Sequence, residues 1–105
     1  MSNDAARIVA QWRKQLPKEA SRHEVEKVVH AYLGECARAA TRGAHFLIVT
    51  HKALSQAHRA GHTPHFPGGR LVLSLVHGRR VKGYQILHLL EAIDLVEAYT
   101  RESGT

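Results

Sequence analysis

Two histidines stand at glycine-marked ends of apolar runs, in Gly43-Ala44-His45 ahead of one run and in Val76-His77-Gly78 behind another. Imidazole is the side chain that titrates nearest neutrality, so one ring can take a proton while a second gives one. Two such rings on one RNA backbone are enough for cleavage without a metal. One removes the proton of the ribose 2′-OH, whose oxygen attacks the adjacent phosphorus. The other protonates the departing 5′-oxygen, and neighbouring Arg or Lys stabilises the charge gathering on the phosphoryl oxygens. The 2′-OH is required, so such a site cuts RNA and not DNA. The plainer reading is that His45 and His77 are ordinary polar residues at strand ends, and spacing alone leaves both readings open.

The charge around them is one-sided. Between Cys36 and Leu90 there is no Asp or Glu, while eight Arg/Lys and seven of the nine histidines fall inside the stretch. The formal net charge of +6 therefore divides into a strongly basic middle and slightly acidic flanks. A surface of one sign attracts polyanions, which makes nucleic acid the first partner to consider. Arg79, Arg80 and Lys82 lie together ahead of a predicted helix, whose N-terminal N–H groups also favour phosphate. With Arg42 and Arg70 they are the candidate RNA-binding cations. A solvated basic turn is the competing reading. Missing acid favours a phosphate clamp, because solvated surfaces usually mix signs.

The elements that must position these residues follow from patterning. Asn3 or Asp4 caps a first helix with Ala5, Ile8, Val9, Trp12 and Leu16 along one face, and Pro17 ends it. Ser21 and Glu24 have the spacing of a capping box, opening a second helix from about Arg22 to Cys36 through Val25, Val28, Val29, Tyr32 and Leu33. Arg38–Arg42 is a short strand of small residues, Ala44–Thr50 a β-branched strand, and Leu71–Val76 a third. Residues 51–69 connect the last two: Lys52–Ala60 has helix formers, and Gly61–Gly69 is a loop by its Gly and Pro content. A turn at His77–Arg80 leads to a final helix from Gly83 to about Arg101, with Ile86, Leu87, Leu90, Ile93 and Val96 on its apolar side. The expected class is α+β: a three-stranded antiparallel sheet with helices packed on it. Both faces of the strands are apolar, so the extra N-terminal helix or a partner protein is expected to cover the face that the other helices leave.

Other residues compete for a role. On an unbroken helix His58 and His62 would share a face as zinc ligands, but Gly61 and Pro64 interrupt it and no Cys, Asp or Glu stands nearby. No metal and no cofactor is expected. Phe66 either stacks on a base or pins its loop to the core. Cys36 and Trp12 read as core residues. At 105 residues, 44% hydrophobic and 23% charged, the chain suits one soluble domain spanning 1–105. No apolar run approaches the roughly 20 residues of a membrane span. There is no basic-then-apolar leader and only one Cys, so a cytoplasmic location with no membrane partner is expected.

The ordered set Gly43-Ala44-His45, Leu73-Ser74-Leu75-Val76-His77-Gly78 and Val81-Lys82-Gly83-Tyr84-Gln85-Ile86-Leu87 resembles the HicA family of toxins over about Glu24 to Asp94, interrupted by residues 51–69. The resemblance implies a double-stranded-RNA-binding-domain-like α-β-β-β-α core at residues 22–100, with residues 1–20 as an additional helix. It also implies mRNA cleavage with His45 as general acid/base, and neutralisation by a HicB-like antitoxin. The family's serine is Ala44 here, and its proline before the second histidine is Leu75. The expected activity is therefore a metal-independent endoribonuclease, with catalytic His45 and His77. The alternatives are a non-catalytic RNA-binding module, which Ala44 favours, and a protein-interaction domain or homo-oligomer that uses the apolar sheet face.

Overall fold

The structure, a computed structural model, describes residues 3–34, 38–42 and 46–103. Its elements run α1 (Asn3–Lys14), β1 (Glu19–Ser21), α2 (Arg22–Leu33), β2 (Arg38–Arg42), β3 (Phe46–Thr50), α3 (Lys52–Arg59), a 3-10 turn (Pro67–Gly69), β4 (Arg70–Ser74), β5 (Arg80–Lys82) and α4 (Gly83–Ser103). The class is α+β. Strands β2, β3 and β4 form one antiparallel sheet in that order, and β1 and β5 form a separate antiparallel ribbon. The two short ribbon strands were not expected, and α3 stands between β3 and β4 where a plain α-β-β-β-α order has a simple connection.

Alternation decides the faces of the sheet. Leu47 and Val49 of β3 and Leu71 and Leu73 of β4 point inward and are buried, while Phe46, Thr50, Arg70, Val72 and Ser74 are exposed on the other side. The inner face packs under α4, whose Ile86, Leu89, Leu90, Ala92, Ile93 and Val96 are buried on more than one side of the helix. Leu87, expected in the core, is exposed, and Leu89 takes that role. From α2 come Val25, Val28, Val29 and Leu33, and from α3 Ala53, Leu54 and Ala57.

Helix α1 ends at Lys14, short of Pro17, so Leu16 lies outside it and is partly exposed. Ala5, Val9 and Trp12 are buried, with the helix lying along α2 and tied to α4 by Arg13, whose Nη2 donates to Asp94 Oδ1 at 2.7 Å. The expectation that this helix covers the outer sheet face does not hold, since Phe46 remains 40% and Val72 46% exposed. The capping box at α2 is present in full: Glu24 N donates to Ser21 Oγ at 3.1 Å and Ser21 N to Glu24 Oε1 at 3.3 Å.

The 51–69 connection starts and ends at one end of the sheet, where Thr50 pairs with Arg70. His51 N donates to Gly69 O at 2.9 Å and closes it. Phe66 is buried and takes positive φ, so it pins the loop to the core. Four histidines of this region have structural partners. His51 is buried and caps α3, its Nδ1 accepting from Ala53 N at 3.0 Å. His58 Nδ1 donates to His65 O at 3.0 Å, His62 bonds Tyr99 Oη, and His65 Nδ1 donates to Glu91 Oε1 at 2.8 Å. His58 and His62 do not share a helical face, because α3 ends at Arg59. Among the described residues no helix is long and apolar enough to cross a membrane.

Candidate nucleic-acid interface

The connection from β4 to β5 is a tight turn. His77 and Gly78 both have positive φ, 53° and 69°, as the two central residues of a type I′ turn require. Glycine adopts this at no steric cost, and histidine is among the few side-chain-bearing residues enriched there. Arg79 N and Arg80 N both donate to Val76 O, at 3.0 and 3.2 Å, so two residues oppose one and the strand bulges. Val76 N donates to Arg80 O at 2.7 Å and closes the pair.

Neighbouring elements hold this turn from two sides. Arg22 N, the first residue of α2, donates to Arg79 O at 2.7 Å. Gln85, buried in the first turn of α4, accepts from Ser74 N at 2.6 Å and fixes the end of β4. The backbone of Val76, Arg79 and Arg80 is thus engaged, while the side chains of His77, Arg79 and Arg80 stay exposed. Together with Glu19, Ser21 and Val76 they line an open cleft of about 690 Å³. A second recess continues from it past Lys18, Glu19, Arg80 and Lys82.

Sequence reasoning missed Glu19, Ser21 and Lys18. The ribbon pairs Glu19 with Lys82 and Ser21 with Arg80, and Glu19 Oε1 lies 3.9 Å from Arg80 Nε. A stretch without acid in sequence is therefore not a surface without acid. The pairing joins residues some sixty positions apart, and a three-residue strand has too little alternation to reveal it. The phosphate role expected of the α4 N-terminus is also reduced, because the first N–H there, Gly83 N, already donates to Lys18 O at 2.8 Å. Gly83 has a packing reason to be glycine, since a Cβ would lie 2.2 Å from Pro17 O.

The expected site residues divide into three places. His77, Arg79 and Arg80 share the cleft, with Lys82 beside it on the ribbon. Arg70 begins β4 at the far end of the sheet, exposed on its outer side, and Arg42 ends β2 as the register partner of Phe46. His45 lies outside the described residues. The described geometry next to it is informative: β3 begins at Phe46 opposite Ser74, three residues before His77, so the start of β3 and the His77 turn belong to one end of the sheet.

Chemically, the cleft is lined by an exposed imidazole, two guanidinium-bearing residues and a carboxylate. The arginines suit planar, multidentate contact with phosphate, and an imidazole can take or give a proton. Glu19 Oε1 faces Arg80 Nε at 3.9 Å, beyond hydrogen-bond reach, so the exposed pair is weak in water. Among the described residues no group of three or more His, Cys, Asp or Glu is placed to hold a metal ion. Comparison with protein-family models, with curated proteins and with solved structures finds no match to this chain.

Proposed function

We propose that this chain is an RNA-binding endoribonuclease resembling the HicA toxins, acting on mRNA without a metal. The observation that carries the reading is the cleft that His77, Arg79 and Arg80 line together, three residues along the chain from Ser74, which pairs with the start of β3 at Phe46. In this reading His45 and His77 share the general acid and base roles. One takes the proton of the 2′-OH, O2′ forms a bond to phosphorus, and the P–O5′ bond breaks. The other delivers a proton to O5′, leaving a 2′,3′-cyclic phosphate and a free 5′-OH. Arg79 and Arg80 stabilise the equatorial oxygens, and Arg42, Arg70 and Lys82 hold flanking phosphates. A HicB-like antitoxin that opposes this surface would present carboxylates to Arg79 and Arg80 or cover the cleft.

A second reading, an RNA-binding module without cleavage, is favoured by Ala44 in place of the family's serine and by Glu19 inside the cleft. Expression of the wild type, His45→Ala and His77→Ala in bacteria separates the two. Growth arrest and fragmented transcripts with the wild type, relieved in both variants, fit the nuclease. Identical behaviour of all three removes the catalytic assignment. Salt titration of RNA binding then tests the module: each lost phosphate contact, as in Arg79→Ala, should lower the slope of log K against log salt by about 0.7 for a single strand.

A further inference from the structure

The outer face of β3 and β4 is open. Phe46 is 40% exposed and Val72 46%, with the partly buried Ile48 paired opposite Val72. The strands read Arg-Ala-Ala-Thr-Arg, Phe-Leu-Ile-Val-Thr and Arg-Leu-Val-Leu-Ser, three arginines and no acid. Register puts Arg42 opposite Phe46 at one end, and Arg38 and Arg70 on either side of Thr50 at the other. The two ends are four residues apart, about 13 Å along the strands. An apolar centre with Arg70 at one end, and β4 running on toward Arg79 and Arg80 at the other, matches a partner that is a flat apolar ring on an anionic backbone. That description fits an unpaired nucleobase and its phosphates. It does not fit a duplex, whose bases are stacked on one another.

We infer that this face binds single-stranded RNA, with a base stacked on Phe46 and a phosphate held by Arg70. The inference rests on the RNA-binding reading and adds a substrate form and a second contact surface to it. RNA-binding sheets that display aromatics on an open face bind unpaired bases in this way, since every base has a π-face and nearby cations meet the backbone charge. The Phe46 end of the face is also the end where β4 runs on to His77. A strand lying across the sheet would therefore leave it toward the cleft lined by His77, Arg79 and Arg80.

The test uses the full chain as wild type, Phe46→Leu and Phe46→Trp, with fluorescence anisotropy on one RNA sequence presented single-stranded or as a blunt duplex. Leucine keeps apolar bulk but has no ring. The expected result is preference for the single strand, weakened about 5- to 150-fold in Phe46→Leu, with duplex binding and melting temperature unchanged. In Phe46→Trp the single strand should bind at least as tightly and quench the new emission, against a constant signal from buried Trp12. Equal binding of the single strand by wild type and Phe46→Leu, or preference for the duplex, overturns the platform. So does a wild-type dimer in sedimentation that Phe46→Leu dissociates, because a second copy then occupies the face. RNA binding that responds to Arg79→Ala but not to Phe46→Leu refutes the platform alone. No RNA binding by the wild type refutes the RNA-binding reading together with it.

Discussion

His51 should make stability depend on pH in a way that one substitution removes. Its ring is only 6% exposed and lies at the N-terminus of α3. Burial, with the adjacent Lys52 second, holds its pKa below the usual histidine value. The cap it makes also needs the neutral ring, because Nδ1 accepts from Ala53 N and an imidazolium has no free lone pair. The sign then follows. The unfolded chain binds this proton near the ordinary value of about 6.5, while the folded chain does not until a lower pH. Stability from His51 is complete above about pH 6.5 and is lost as pH falls from there toward the folded-state pKa. Within that window the loss approaches about 1.4 kcal/mol per pH unit for one proton. His51→Asn keeps a capping acceptor and cannot titrate, and His51→Ala loses the cap at a cost of about 1 kcal/mol. For a domain of this size that cost lowers Tm by about 4–8 °C. Melting curves from pH 8 to 5 would show wild type and His51→Asn converging or parallel at high pH, then the wild type falling faster on the acid side. Parallel curves across the whole range, or a His51→Ala variant as stable as wild type at pH 8, would refute this account of His51.

Gly83→Ala should destabilise by about 2–4 kcal/mol, because the new methyl meets Pro17 O and the Gly83–Lys18 backbone bond must stretch; urea denaturation measures it, and an unchanged midpoint denies the close approach. Glu91→Ala should cost about 1–2 kcal/mol, since Glu91 accepts from Thr63 Oγ1 at 3.0 Å and from His65 Nδ1 at 2.8 Å. Hydrogen exchange should then quicken in residues 61–66 while the sheet stays protected, and uniform exchange would show that the loop is held by Phe66 alone.

Local patterns made much of the scaffold legible. The capping box at Ser21 and Glu24, the apolar face of α2, the helix formers at 52–60 and the β-branched runs of β3 and β4 all carry their conformation in a few adjacent residues. Contacts between distant segments were not legible. The β1–β5 ribbon joins Glu19 to Lys82, and that single pairing puts a carboxylate among cations that looked unopposed in sequence. The same limit explains the histidines. His51, His58, His62 and His65 look like charge or metal ligands in one dimension, and in three they are a helix cap and three anchors for a loop. Glycine at 83 opens α4, and the close carbonyl of Pro17, which only spatial packing reveals, is sufficient physical reason for it. The exposure of Phe46 is not legible in sequence, because it depends on where α1 packs, and nothing in the spacing of α1 says which surface it takes.

Cleavage of end-labelled RNA by the purified full chain in excess chelator tests the central claim most directly. The substrate is compared with the same sequence carrying 2′-deoxy sugars, and wild type with His45→Ala and His77→Ala. The account predicts fragments ending in 2′,3′-cyclic phosphate from the all-ribose strand and none from the deoxy strand. It also predicts a rate lower by about 100- to 10 000-fold in each variant, with RNA binding retained. An intact all-ribose strand, a cleaved deoxy strand, or variants that cut as fast as the wild type would contradict it.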